Sequence, residues 1–294
     1  MMFGNNTQTF VKRNTTLAGP LYMLSAALLF TLLDILIKVL RPEYTVWHIG
    51  FFRFFGGMLV LLSIFGRKGN LYKGNNVRLL IIRGCAGSIA FISLITAIRL
   101  LPVSTAMVIF YAFPAFSAIF SFLIYKEHIG LTGILCIVGM VGGVAVLFGF
   151  HPNGSFFGQA MAVFGSVFAG LTVTLVRSLR QNNGPVIIYL YFCTMGSLVT
   201  LPGFITNPIF PESILEGLMV MGIILSSVIG QLMMNQGFFY CKGWEGGVFM
   251  STEVIFVALA GIVLLNDPAT LQFWIGGGMV LGSGLMLNRL KAAG

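Results

Sequence analysis

Hydrophobic stretches of about twenty residues each, about ten in number, fill this chain almost from end to end. A helix of about 20 apolar residues crosses the hydrocarbon core of a bilayer, and these runs lack the alternation of barrel strands. Their separators are short and rich in turn residues, so successive helices run antiparallel. The sequence therefore predicts an all-α transmembrane fold of ten helices. The predicted spans are 17–40, 46–66, 79–98, 102–124, 130–149, 156–176, 185–206, 214–238, 244–265 and 271–288.

The composition excludes an ordinary soluble enzyme. Of the 294 residues, 57% are hydrophobic and only 9% are charged, whereas a soluble domain carries about 25% charged residues. None of the four cysteines forms a C-x-x-C pair, and the three histidines share no ligand spacing. No Ser/His/Asp cluster stands out either. We therefore predict no enzyme activity, no cofactor, no metal and no disulfide.

The basic residues are distributed unevenly between the two sides of the predicted bundle. With an even number of spans, twelve Lys and Arg residues lie in loops on the side of the termini and two on the opposite side. Basic loops stay in the cytoplasm, so this bias predicts cytoplasmic termini and a multi-pass protein of the cell (inner) membrane. It also explains the net charge of +9 without a nucleic-acid partner.

A weak internal repeat divides the chain into two halves, predicted at 1–151 and 152–294. Residues 101–147 align with 241–287 without a gap, and Glu127 then falls on Asp267. Identities are few, so the matched span lengths and the matched acid carry the comparison. Two halves of five spans face opposite ways in a membrane, an inverted repeat that recurs in secondary transporters.

Five charged side chains lie inside predicted spans, where ionised groups are costly and usually functional. Glu253 is predicted near mid-span, either as a proton carrier, as a partner for a substrate amine, or as a protonated carboxyl bonded to a neighbouring helix. Asp34 and Lys38 are four residues apart and form either a local ion pair or part of a substrate site. Arg53 either lines a cavity or extends outward along its apolar stem. For Arg83, close to a span end, we favour such snorkelling to the headgroups.

Neutral polar residues add to this group. Ser227, Gln231 and Asn235 are spaced by four and form one stripe on the eighth span, while Tyr111 lies near the middle of the fourth. Such residues either bond neighbouring helices together or line a cavity. Pro114, three residues after Tyr111, predicts a kink that could act as a hinge.

Glycine pairs with small-xxx-small spacing predict close helix packing, within one subunit or between the subunits of a homodimer. They are Gly139 with Gly143 and Gly278 with Gly282.

An ordered set of short motifs resembles the EamA-type members of the drug/metabolite transporter superfamily. It runs through Lys38, Phe51-Phe52-Arg53-Phe54, Arg83-Gly84, Leu101-Pro102-Val103-Ser104-Thr105-Ala106, Pro114 and Glu127. The resemblance implies two inverted five-helix repeats around a central cavity, with alternating access driven by a coupled ion or by exchange. Phe51–Leu62 and Ile81–Gly84 are similar to the S-adenosylmethionine-uptake branch. The second half departs from the pattern, since Val254 stands where Pro114 does and Glu253 where Phe113 does.

These observations favour a secondary transporter for a small zwitterionic or amphipathic metabolite. Glu253 is predicted to bind a cation or a proton, and the basic residues of the spans are predicted to face an anionic group. Tyr111, Gln231 and Asn235 are predicted to add hydrogen bonds. Expected partners are the solute, a proton or sodium ion, and membrane lipid. The alternatives are a membrane-embedded enzyme acting on lipid headgroups and a channel.

Overall fold

The computed structural model describes residues 18–68, 70–126, 130–147, 155–240, 249–250 and 252–293. Apart from one short 3-10 turn, Gly66–Lys68, the regular structure within these ranges is α-helical. The α-helices that can be followed through these ranges are α1 Ala18–Val39, α2 Val46–Phe65, α3 Val77–Leu100, α4 Val103–Phe110, α5 Phe113–Tyr125, α6 Leu131–Leu147, α7 Phe156–Leu179, α8 Pro185–Thr206, α9 Ile214–Tyr240, α10 Thr252–Leu265 and α11 Leu271–Ala293.

Each predicted span has a helical counterpart, and α4 with α5 forms the fourth. Within the described residues, seven segments are long and apolar enough to cross a membrane, and three shorter apolar helices correspond to the remaining spans. The predicted fifth and ninth spans, 130–149 and 244–265, extend into residues outside the described ranges. The all-α transmembrane fold is therefore confirmed.

Helix packing follows a pseudo-twofold relation between the halves. The first span packs on the eighth as α1 on α9, and the sixth packs on the third as α7 on α3. In the same way, α1 contacts α10 while α7 contacts α5, and α2–α8 and α6–α11 each pair equivalent spans. Exchanging the halves maps these pairings onto one another, as expected for inverted five-helix repeats.

The helix ends reproduce the register of the sequence repeat. Tyr125 ends α5 and Leu265 ends α10, and these two residues are equivalent when 101–147 is aligned with 241–287. The residues that follow them, Lys126 and Asn266, both have left-handed backbone, with φ of 55° and 56°. The register predicted from weak sequence similarity thus describes a repeat of backbone conformation. The proposed boundary between the halves, at residues 151 and 152, lies outside the described ranges.

The fourth span is broken next to Pro114, as the sequence predicts. Proline has no N–H for the carbonyl four residues earlier, that of Phe110, and its ring clashes with that carbonyl. Accordingly α4 ends at Phe110 and α5 begins at Phe113. Between them the Ala112 N–H donates to the Ile109 carbonyl at 3.1 Å, a tighter turn than an α-helix. The break leaves Tyr111 at the junction of two short helices.

Helices α1 and α3 cap each other at their C-terminal ends, where backbone carbonyls lack helical partners. The Lys38 ammonium donates to the carbonyls of Ile98 and Leu101 at 2.8 and 2.5 Å. In return, the Arg99 guanidinium donates to four carbonyls at the end of α1 and just beyond it, at 2.6 to 3.2 Å. This exchange fixes the distance between α1 and α3.

We expect Arg99→Met to lower the free energy of unfolding by at least ~2 kcal/mol, because hydrogen bonds to charged groups contribute ~1.5–3 kcal/mol each. The measurement is thermal unfolding of the purified protein in detergent. Arg78→Met is the matched control, since Arg78 lies on the same helix and is exposed. Equal midpoints for the two variants would contradict a capping role for Arg99.

The two glycine pairs differ in their surroundings. A Cβ on Gly139 would clash with the Ser283 hydroxyl oxygen, and one on Gly143 would lie 2.8 Å from the Gly276 carbonyl oxygen. This pair therefore permits close packing of α6 on α11 within one subunit. A Cβ on Gly278 or Gly282 would meet nothing within 4 Å in the described structure, so packing of the second pair inside the subunit is not observed.

Candidate functional site

Glu253 and Tyr111 join the two halves at the break in the fourth span. The Tyr111 hydroxyl lies 2.8 Å from Oε2 of Glu253 and 2.9 Å from the carbonyl oxygen of Met250. All three residues are buried. Glu253 lies on α10, close to where the described part of that helix begins at Thr252, and its predicted place near the middle of the ninth span stays a prediction. Its carboxyl therefore meets the break between α4 and α5 in the first half.

Asp34 faces the interior from the C-terminal half of α1. Its side chain is 2% exposed, and its Oδ2 atom has no hydrogen-bond partner among the described residues. Its charge interacts with those of Arg53 and Glu253, although no ion pair within 4 Å forms between described residues here. The predicted local ion pair with Lys38 is not formed, because the Lys38 ammonium caps α3.

Arg53 reaches the interior from α2. Its Nε donates to the Ser227 hydroxyl of α9 at 2.6 Å, and that hydroxyl lies 3.0 Å from the Tyr189 hydroxyl of α8. The guanidinium carbon lies 3.5 Å from the centroid of the Phe91 ring, while Nη1 has no partner in the described structure. The side chain is buried, so the alternative of snorkelling along its stem is excluded.

Arg83 is buried as well, which overturns our preference for snorkelling. It is among the largest fully buried side chains, and its guanidinium carbon lies 4.4 Å from the centroid of the Phe192 ring. The reason is the small residues that follow it. A Cβ on Gly84 or Gly87 would clash with α8, at 2.7 Å from Met195 and 2.9 Å from Phe192. Their absence of side chains lets α3 approach α8 and turns Arg83 inward.

The polar stripe of the eighth span faces the same interior. Ser227, Gln231 and Asn235 are all buried on α9. The Asn235 amide nitrogen lies 3.5 Å from the Pro185 carbonyl oxygen, and its Oδ1 has no partner within the described part of the chain. The stripe therefore joins helices through Ser227 and leaves one polar atom, Asn235 Oδ1, unsatisfied among the described residues.

Lys38 and Asp267 lie toward the end of the bundle where α1 ends and α4 begins. Asp267 Oδ2 accepts hydrogen bonds from the backbone N–H and the hydroxyl of Ser104, at 2.9 and 2.8 Å. It therefore caps α4 from the opposite half. The predicted substrate-facing role of Lys38 does not fit its place, because its ammonium is bonded to backbone carbonyls.

The structure thus brings together most of the predicted side chains, from helices of both halves. Asp34 interacts through charge with Arg53 and with Glu253, Glu253 is hydrogen-bonded to Tyr111, and Arg53 and Arg83 also interact. Sequence reasoning missed the aromatic surface beneath the arginines, because Phe91 and Phe192 belong to helices far apart in sequence. In a chain this rich in phenylalanine, no pattern distinguishes them from ordinary core residues.

The EamA-like transporter family matches this chain twice, at residues 17–149 and 156–289. Among curated relatives, the pseudopaline exporter CntI of Pseudomonas aeruginosa (strain UCBPP-PA14) is 22% identical over 275 residues, which is 93% of this chain and 97% of that protein. Human solute carrier family 35 member G1 is 24% identical, over 88% of this chain and 75% of the relative.

The S-adenosylmethionine uptake transporter of Rickettsia prowazekii is 23% identical, over 86% of each chain. A solved crystal structure superposes with a TM-score of 0.65 at 15% sequence identity, covering 94% of this chain and 98% of the other. The structural likeness shows the fold, and the relatives are transporters by name and not enzymes.

Proposed function

We propose that this chain, which belongs to the EamA-like transporter family, moves a small zwitterionic or amphipathic organic metabolite across the membrane by alternating access. The observation that carries the proposal is a set of buried charges of both signs, between the halves, with unsatisfied polar atoms. An Asp or Arg at the centre of a membrane helix costs ~2.5–3.5 kcal/mol on insertion scales. A bundle that only anchored itself would be more stable with leucines there.

The charges divide the site into an acidic and a basic part. Asp34 and Glu253 offer carboxyl groups to a cationic group or to a proton. Arg53 offers to an anionic group its Nη1, which has no partner among the described residues. Asn235 and Gln231 supply neutral hydrogen bonds at the α9 side. In a protein interior of low effective dielectric, such contacts discriminate strongly between charged solutes.

Alternating access is proposed to use the two halves, 1–151 and 152–294, as the moving units. Two contacts that cross between them would break and reform, namely Arg53 with Ser227 and Tyr111 with Glu253. The broken fourth span provides a place where one half can bend. The coupling ion is proposed to be a proton, because Glu253 is a buried carboxyl hydrogen-bonded across the moving interface.

The proposed setting is the cell inner membrane, with both termini in the cytoplasm. The excess of basic residues in loops on the side of the termini supports this orientation. The names of the relatives support an organic solute and point in both directions, since one is an exporter and another an uptake transporter.

The test begins with a thermal-shift screen of purified protein against metabolites, because a ligand that binds only the folded state raises its stability. A hit is then followed by counterflow of the labelled compound into proteoliposomes. We expect saturable counterflow in the wild type and a rate at least tenfold lower in Arg53→Gln. The reason is that the variant removes a hydrogen bond from a charged group, which contributes ~1.5–3 kcal/mol.

Two outcomes would contradict the proposal. Flux that rises with concentration without saturating would indicate a channel. Chemical turnover of a labelled lipid by the purified protein would indicate an enzyme that acts on headgroups.

A further inference from the structure

Two guanidinium groups share one aromatic surface in the interior. The guanidinium carbon of Arg53 lies 3.5 Å from the Phe91 centroid and 5.3 Å from that of Phe192. The guanidinium carbon of Arg83 lies 4.4 Å from the same Phe192 ring. Both arginines are more than nine-tenths buried. Two like charges are therefore held close together away from water.

The described residues supply little to neutralise this pair. In the described part of the chain, every ion pair within 4 Å involves Arg41, which lies just after the C-terminal end of α1. Asp34 interacts with Arg53 through charge, whereas the charge interactions identified for Arg83 are with Cys193, Tyr189 and Arg53. The pair thus carries an excess of positive charge.

Hydrogen bonding is incomplete in the same place. Arg53 Nη1 and both Nε and Nη1 of Arg83 are buried without a partner among the described residues. A buried donor left unpaired destabilises the fold by about as much as, or more than, a cation–π contact stabilises it. The ring contacts therefore do not offset three unpaired nitrogens and two desolvated charges. Methionine at either position would pack against phenylalanine without this cost.

We propose that Arg53 and Arg83 form an oxyanion subsite, and that the transported solute carries a carboxylate or a phosphate group that binds between them. This rests on the proposed function and specifies its substrate class. Guanidinium donors match the geometry of oxyanions, and three free nitrogens on two arginines offer several bonds at once. Asp34 and Glu253 then face the remainder of the solute.

The aromatic residues restrict what can bind there. Phe91 and Phe192 cover guanidinium faces, so an anion is left with the N–H edges. Gly196 allows this packing, since a Cβ there would clash with the Phe54 ring, which is itself packed on Phe192 at 5.0 Å between centroids. The same rings exclude water and strengthen charge interactions.

The test measures anion-dependent thermal stability of the full-length protein purified in detergent. The probes are sodium acetate for a carboxylate and inorganic phosphate, each against sodium chloride at equal ionic strength. We expect one of the two oxyanions to raise the unfolding midpoint of the wild type and the other to act more weakly, which identifies the anion source. Chloride as effective as both oxyanions would overturn the proposal.

Variants locate the effect at the arginine pair. Arg83→Gln is expected to weaken the apparent affinity for the effective oxyanion at least tenfold, and Arg83→Lys to retain part of it. The matched control is Arg78→Gln, which removes an exposed arginine of the same helix and is expected to respond as the wild type. Equal stabilisation of Arg83→Gln and Arg78→Gln would place the anion elsewhere and overturn the proposal.

The subsite and the transport function fail in different ways. Loss of the oxyanion response in Arg83→Gln supports the subsite. This holds even if proteoliposomes show only non-saturating flux, a result that contradicts the transport function but not the subsite. Conversely, saturable counterflow of a solute without an anionic group, unchanged in Arg83→Gln, contradicts the subsite and leaves the transporter standing.

Discussion

Glu253→Gln is expected to abolish accumulation of the solute driven by a pH gradient, with a loss of at least tenfold, while counterflow at equal pH is retained. The reason is the geometry at Tyr111. Its hydroxyl carries one proton but faces two acceptors, Glu253 Oε2 at 2.8 Å and the Met250 carbonyl at 2.9 Å. Both contacts become full hydrogen bonds when Glu253 itself carries a proton and donates to the Tyr111 oxygen.

Glutamine reproduces that protonated arrangement permanently. Its amide group donates to the Tyr111 oxygen, so the closed contact between the halves survives, but it cannot release a proton. Binding and exchange should therefore persist while coupling is lost. The variant's counterflow should also be insensitive to pH over the range in which the wild type responds.

The measurement compares reconstituted vesicles with and without an imposed pH gradient. Glu216→Gln is the matched control, because Glu216 lies in the first turn of α9, 3.3 Å from Arg41, and away from Tyr111 and Glu253. Normal gradient-driven accumulation in Glu253→Gln, or equal losses in the two variants, would remove Glu253 from the coupling mechanism.

The sequence predicts the helices well because span length and apolar composition are local properties. Ten spans, the proline break and the register of the internal repeat all follow from runs and spacings within the chain. What surrounds a charged side chain is not local. Tyr111 and Glu253 meet although they are far apart in the sequence, and nothing in either segment specifies the other as its partner.

Arg83 and Lys38 show that the position of a side chain along its span does not predict what surrounds it. The short distance of Arg83 from the end of its span predicts that its side chain reaches the headgroups. Instead, Gly84 and Gly87 let α3 pack closely on α8, where the Arg83 guanidinium contacts the Phe192 ring. For Lys38, one of the two predicted alternatives is an ion pair with Asp34 at i, i+4 spacing. Instead it binds Ile98 and Leu101, because unpaired carbonyls at a helix end are strong acceptors and the α3 terminus lies within reach.

The second large effect concerns two buried carboxylates with opposite surroundings. Asp34→Leu is expected to abolish counterflow and yet to raise the unfolding midpoint. Asp267→Leu is expected to lower the midpoint. Asp34 is 2% exposed with Oδ2 unbonded in the described structure, and Asp267 is 8% exposed with Oδ2 accepting two hydrogen bonds from Ser104. Burial alone therefore does not decide the sign of the change.

For Asp34, leucine removes a desolvated carboxylate and adds buried apolar surface, and fully burying a leucine contributes ~1.5–3 kcal/mol. For Asp267, the same substitution leaves the N-terminus of α4 without its cap, at a cost of ~0.5–2 kcal/mol for the cap alone. Thermal unfolding of both variants in one detergent measures the two signs side by side. Proteoliposome counterflow of Asp34→Leu supplies the other half of the prediction.

A lower midpoint for Asp34→Leu would mean that the carboxylate stabilises the fold. That result would contradict the inference that Asp34 is kept for binding the solute. A higher midpoint with transport intact would show that the Asp34 carboxylate contributes neither to stability nor to transport. Only a gain of stability combined with a loss of counterflow identifies Asp34 as a residue that transport requires although it destabilises the fold. That combination is expected where a solute, and not a neighbouring helix, satisfies the charge.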